Sequence, residues 1–160
     1  MNPSILIRPA DERDIPRLED LLYQVHGLHA AGRPDLFIVG KKKYTADELR
    51  DILADPERTP VFAATLDGEL VGYCFCIRQV QTAASMHPIA TLYVDDLCVD
   101  ECRRGHGIGK ALYNHAVAYA RERGYYNLTL NVWSCNPDAM RFYERCGLSV
   151  QKVGMELILN

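Results

Sequence analysis

Residues Arg103–Leu112 read RRGHGIGKAL, and their types and spacing suit chemistry with an anion. Three glycines stand at alternate positions, two arginines precede them and a lysine follows. A glycine inside a helix costs about 1 kcal/mol relative to alanine, so three of them beside a helical stretch call for another use. Glycine lets the backbone take positive φ and come close to a ligand. A helix N-terminus adds unpaired N–H groups and about half a positive charge. Together these suit a phosphate or pyrophosphate, with Arg103, Arg104 and Lys110 adding charge around it. The alternative is a tight strand-to-helix turn with no ligand.

Two familiar phosphate motifs fail on the letters. The P-loop needs G-x-x-x-x-G-K-[ST], but only three residues separate Gly105 from Gly109, and Ala111 follows Lys110. The dinucleotide fingerprint needs G-x-G-x-x-G. Counted from Gly105 its last position is Lys110, and counted from Gly107 it is Leu112. A nucleotide-binding protein is therefore disfavoured.

Other reactive side chains point less far. His26 and His29 share a helix face and could ligate a metal, but no third ligand is signalled and no metal is expected. Cys74 and Cys76 are two apart on a strand, the wrong spacing for a C-x-x-C redox pair. The six cysteines read as reduced thiols, several in apolar runs where Cys acts as a small hydrophobe. That usage points to the cytoplasm.

The elements that must position these residues follow from periodicity. Residues 4–9 form a short strand. A helix follows with Ile15, Leu18, Leu21, Leu22, Val25 and Leu28 on one face and Asp11 as its cap. Residues 31–44 are a polar loop, and Thr45 caps a second short helix. PVFAATL and ELVGYCFCIRQV flank an Asp-Gly pair, a hairpin signal. IATLYVDDLCVD is a third β run leading into the glycine loop. A helix then spans about 108–123, with Gly124 as its stop. YNLTLNVW is another strand. Asn136, Pro137 and Gly147 cap, start and end a last helix. LSVQKVGMELIL closes the chain as one or two strands. The order is β-α-α-β-β-β-α-β-α-β(-β). This predicts one α/β domain over 1–160, with a mixed sheet of six to seven strands and about four helices.

Composition agrees. A chain of 160 residues, 48% hydrophobic, suits a single domain with its own core. The net charge of -3 argues against a general nucleic-acid partner. No apolar run approaches the roughly 20 residues of a membrane span, and no secretory signal is read at the N-terminus.

LCVDECRRGHGIGKAL resembles the acyl-CoA-binding motif of the GNAT superfamily of N-acetyltransferases, Q/R-x-x-G-x-G/A. Arg104, Gly107 and Gly109 occupy its fixed positions. NPDAMRFYERCGL is similar to the same family's later helix, N-x-x-A-x-x-F/Y-Y-x-x-x-G-F. Asn136, Ala139, Phe142, Tyr143 and Gly147 match, and Leu148 replaces the usual Phe. The element order agrees with that fold too. The resemblance is specific over about 61–148 and weak over the first 60 residues.

The resemblance implies an enzyme moving an acetyl group from acetyl-CoA to a primary amine by direct transfer in a ternary complex. The acceptor would be a small molecule or a peptide. A non-catalytic CoA-binding or regulatory module on the same fold is the rival. In the family the loop N–H groups hold the CoA pyrophosphate, which here implicates Arg104, Gly105, His106, Gly107, Ile108, Gly109 and Lys110. Leu97, Cys98 and Val99 would run beside the pantetheine arm, with Asn136 either a CoA contact or only a cap. Tyr143 matches the family tyrosine proposed as the acid that protonates the departing thiolate; otherwise it is a core-facing aromatic.

An attacking amine must lose a proton, because alkylammonium has a pKa near 10.4. Asp95 and Asp96 are the base candidates, and in a regular strand they point to opposite faces. A bulge would invert that phase. Asp100 and Glu101 read as ordinary loop charges. In the family the first two helices build the acceptor site, which implicates His26, His29, Arg33 and Asp35. Arg33 and Asp35 could equally make a turn around Pro34. Lys41–Lys43 read as a solvated face. Many members dimerise, so a homodimer is among the expectations, with no interface patch legible.

Overall fold

Strand β1 (Ile5–Pro9) leads through a capped 3-10 turn into helix α1 (Ile15–Gly32) in the computed structural model, which describes residues 4–159. The Asp11 side chain accepts from Arg13 N, and Asp14 answers from Asp11 N at 2.9 Å, a reciprocal cap. Asp14 is nearly buried, and Arg8 holds it with two bonds of 2.8 Å. Thr45 and Glu48 form a second reciprocal cap that starts α2 (Ala46–Ala54).

The sheet then builds through β2 (Val61–Leu66), β3 (Glu69–Val80) and β4 (Ala90–Val99). Asp67 and Gly68 both take positive φ, 51° and 84°, as a two-residue hairpin turn requires. Helix α3 (Ile108–Glu122) crosses over to β5 (Asn127–Leu130), and α4 (Pro137–Arg145) follows. Strand order is β1-β2-β3-β4-β5, antiparallel except for the parallel β4–β5 pair that the α3 crossover permits.

Each face of the sheet has its own core. Ile108, Leu112, Ala116 and Ala120 of α3 pack on Phe62, Val71, Cys74 and Leu92. Ile15, Leu18, Leu21 and Leu22 of α1, with Leu49 of α2, pack on Tyr73, Phe75 and Cys98. With both faces covered, all six residues of β2 are buried. Gly72 sets the spacing: a Cβ there would lie 2.9 Å from the Cys98 carbonyl oxygen and 3.2 Å from Leu112 Cδ1.

Three expectations are corrected. Among the described residues the sheet has five strands, not six to seven, with the four expected helices. Residues 148–159 form no strand, although their alternation suits one. Residues 149–159 are exposed, and Val153, Met155, Leu157 and Leu159 keep 76–93% of their surface. Leu28 lies on the α1 face of Leu21 yet is half exposed, because the core cluster on that face ends at Val25.

Candidate active site

The glycine loop uses its glycines for two different purposes. Gly105 and Gly107 take φ of 84° and 77°, where only glycine is unstrained, and no atom lies within 4 Å of a Cβ built on either. Gly109 is instead a packing glycine, its Cβ position 3.4 Å from Phe142 Cζ. Gly107 is also the N-cap of α3, and a glycine supplies no capping side chain. Helix α4, by contrast, has its first turn closed by Asn136 Oδ1, which accepts from Ala139 N at 3.2 Å. The first N–H groups of α3 thus stay open toward the loop. Ile108 is buried beneath it. His106 turns its ring back, Nδ1 lying 3.0 Å from the Arg103 carbonyl oxygen. Arg103 is drawn to Glu69, 3.4 Å away, while Arg104 and Lys110 are in no ion pair among the described residues.

Strand β4 opens beside this loop. It pairs with β5 from Thr91 to Val94, and β5 ends at Leu130. From Asp96 to Val99 only β3 pairs with it among the described residues. Leu97 and Val99 pack toward the α3 core, and Cys98 lies buried on the opposite face.

A bulge sits at the opening. Phe75 pairs with Asp96 and Cys76 with Val94, so Asp95 is the extra residue. Asp95 and Asp96 therefore do not point to opposite faces as a regular strand requires. Both turn to the side of α1 and α2, because the added residue inverts the phase. Asp95 accepts a 2.5 Å bond from the Tyr44 hydroxyl and lies 2.9 Å from Lys43 Nζ. Asp96 accepts from the buried Tyr73 hydroxyl at 2.8 Å. Burial raises the Asp96 carboxyl to about 6, against the pull of Tyr73 and Lys43. Burial likewise pushes the Cys98 thiol up to about 12, so it stays protonated.

Tyr143, on α4, is half buried and stacks edge-on against Phe142 with ring centroids 5.1 Å apart. Burial raises its phenol above the ordinary tyrosine value, and Cys74 and Asp96 add to the effect. The phenol therefore stays protonated at neutral pH. It makes no hydrogen bond to protein among the described residues.

The acceptor-side candidates do not converge on one ligand. His26 Nε2 lies 2.7 Å from the Ile38 carbonyl oxygen, and His29 stacks on Phe37 at 5.2 Å. Burial lowers His29 below the usual imidazole value. Phe37 also meets Trp133 at 5.4 Å, so an aromatic row links the α1–α2 loop to the segment after β5. Arg33 is engaged with Asp35 at 2.7 Å and with Glu156.

Several residues were missed by sequence reasoning. Asp100 is not an ordinary loop charge: it is nearly buried, ion-paired with Arg17 of α1, and accepts from Cys102 N at 3.0 Å. The Cys102 N–H, with Arg17 beside it, holds the Asp100 carboxyl below the usual range. Lys43 is not simply solvated, since it faces Asp95. Tyr44 and Tyr73 carried no signal beyond hydrophobicity; their roles depend on strand register.

The model of the acetyltransferase (GNAT) family matches residues 24–148. The chain is 33% identical over 119 residues to the 5-NmdU N-acetyltransferase of Pseudomonas phage PaMx11, covering 72% of this chain and 78% of that protein. It is 37% identical over 65 residues to glucosamine 6-phosphate N-acetyltransferase 1 of Oryza sativa subsp. japonica, spanning 41% of this chain and only 38% of the rice protein. The solved BH1408 protein of Bacillus halodurans, a tetramutant, superposes with a TM-score of 0.90 at 29% identity, covering 96% of this chain and 99% of that one.

Proposed function

The chain belongs to the acetyltransferase (GNAT) family, and from that premise we propose that it moves an acetyl group from acetyl-CoA to the amine of a small-molecule or peptide acceptor, by direct transfer in a ternary complex. One observation carries this reading: the unpaired half of β4 runs from the bulge that holds Asp96 to an uncapped glycine loop, and Phe142, the neighbour of Tyr143 on α4, lies beside Gly109 of that loop.

The residues present fit the CoA moiety. Gly105, Gly107 and the open N–H groups of α3 would receive the pyrophosphate, with Arg104 and Lys110 supplying charge. The free side of β4 along Leu97, Cys98 and Val99 would take a peptide-like arm as an added strand. Acetyl-CoA supplies the acetyl group as a thioester.

Asp96 Oδ removes a proton from the acceptor nitrogen, directly or through one water, and its raised carboxyl is matched to that task. Tyr143 gives its hydroxyl proton to the departing sulfur, since burial keeps the phenol protonated. Tyr73 fixes the Asp96 carboxylate, and Lys43 with Tyr44 holds Asp95 aside. Asp95 is thus a positioning residue, and the base role falls to Asp96. The amine approaches from the α1–α2 side, along the row His29, Phe37 and Trp133.

The test is calorimetric titration of acetyl-CoA, with ATP and NAD as controls, into wild type and Gly107→Trp. Micromolar binding of acetyl-CoA alone, lost in the variant, supports the loop assignment, and an amine panel read by thiol release then supports turnover. Absence of acetyl-CoA binding sinks the cofactor reading. Binding without turnover of any amine favours the non-catalytic module.

A further inference from the structure

Three consecutive lysines stand in the α1–α2 loop, and they are not alike. Lys41 is exposed and in no ion pair among the described residues. Lys42 is paired with Glu19 at 2.5 Å and lies over the Tyr23 ring. Lys43 turns to the sheet. Its Nζ lies 2.9 Å from Asp95 Oδ2 and donates to the Asp95 carbonyl oxygen at 3.3 Å. The same nitrogen stands 5.5 Å from the centre of the Tyr44 ring, and an aromatic face attracts a cation. The Tyr44 hydroxyl closes the arrangement with its own 2.5 Å bond to Asp95. A carboxylate, a carbonyl oxygen and an aromatic face thus form a seat for one primary ammonium, and the chain fills it with its own.

The seat lies where an acceptor amine would be wanted. Both of its oxygens belong to the extra residue of the β4 bulge, next to Asp96, at the point where β4 loses its β5 partner. The Lys43 charge also opposes the burial that raises the Asp96 carboxyl. Yet the Lys43 side chain keeps 41% of its surface, so the amine is not sealed off. An ion pair this open is weak, and the nitrogen can leave Asp95 at little cost.

We propose that Lys43 is a self-acetylation site, its ε-amine taking an acetyl group from acetyl-CoA bound to the same chain. The inference rests on the acetyl-transfer reading of the site. Lys43 Nζ gives one proton to Asp95, and its lone pair forms the C–N bond to the acetyl carbon. The thioester C–S bond breaks with its electron pair on sulfur, which Tyr143 protonates. The second proton of the nitrogen passes to Asp96, directly or through one water. Of the two protons then held by the carboxylates, one restores Tyr143 and one goes to water. The products are an amide on Lys43 and the free CoA thiol. The amide carries no charge, so Asp95 loses its ion pair and keeps the Tyr44 bond.

The experiment labels the full chain in two ways and reads Lys41, Lys42 and Lys43 by tandem mass spectrometry. Acetic anhydride on the ligand-free chain reports the ordinary reactivity of each amine, and Lys41 should exceed Lys43 severalfold. Acetyl-CoA with no added amine should reverse that order. Lys43 is then labelled at least about tenfold more than Lys41, as a positioned amine would be, with a rate constant unchanged when the protein is diluted. Asp95→Asn should slow this labelling by more than about tenfold and raise anhydride labelling of Lys43 toward that of Lys41. An acetyl-CoA pattern that keeps the anhydride order overturns the proposal, because it marks uncatalysed reaction of open amines. A rate that rises with protein concentration overturns it too, since transfer then runs between copies. Turnover of a free amine with no label on Lys43 defeats the proposal and leaves the acetyltransferase reading intact. No label, no turnover and no acetyl-CoA binding defeat both. If Asp95→Asn does not fold, the reversal and the dilution series on wild type decide alone.

Discussion

The two halves of β4 differ by one inserted residue and by everything that follows from it. From Thr91 to Val94 the strand is paired on both sides, and Leu92 and Val94 are buried in the α3 core. After the bulge at Asp95 it is paired on one side only, and two carboxylates share a face that regular alternation would have divided between them. The first half holds the sheet together. The second leaves main chain without a strand partner on one side and keeps an acid partly desolvated. The lesson is that a local register error, not a special motif, separates the stabilising part of a strand from its chemical part.

That contrast can be broken from either side. The largest effect is expected for Asp96→Asn, which removes the proposed base: kcat falls by about 10²–10⁴-fold. Wild-type kcat/KM should rise with pH through about 6 as Asp96 ionises and then level off; the variant should lose that limb. The same change is stabilising. Asp96 is raised from 3.8 to about 6, so the fold binds its proton more tightly than the unfolded chain. Stability therefore declines as pH rises across that window, and Asp96→Asn should be roughly 1–3 kcal/mol more stable at pH 8 by denaturant titration.

Leu92→Ala tests the other half. It should cost about 2–5 kcal/mol in urea unfolding while leaving kcat of the folded fraction within about threefold, an order-of-magnitude bound from its place outside the site. Next comes Tyr143→Phe, expected to lower kcat by about 10²-fold with KM for acetyl-CoA little changed, as for a group acting in the transition state. An equal loss with an acyl donor whose leaving thiol has a low pKa would count against the acid role. The smallest effect is for Asp95→Asn. Removing that neighbouring charge should move the acidic limb of kcat/KM to lower pH, with a rate loss below about tenfold.

Legibility in the sequence followed the range of the interactions. The glycine loop, the Thr45 and Asn136 caps and the Asp-Gly hairpin were readable because each is settled within a few residues. The division of labour among the three glycines was not, since Gly109 answers to Phe142, more than thirty residues away. The bulge depends on β3–β4 register, which no local pattern specifies. Asp100 looked ordinary because its partner, Arg17, lies on the first helix. The closing segment carries a strand's alternation but pairs with no strand among the described residues, so pattern alone placed it in a sheet it does not join.

The Arg17–Asp100 pair has a bearing on how a chain of this fold can change over generations. Arg17 lies on α1, where it also donates to the Leu70 carbonyl oxygen, and Asp100 caps the turn that enters the glycine loop. The two sides of the molecule are therefore not freely interchangeable modules. A lineage that recombines in a foreign first helix inherits a nearly buried carboxylate without its ion-pair partner, under the glycine loop, unless an arginine comes with it. Change is then channelled into the loop after α1, which can vary without disturbing that link.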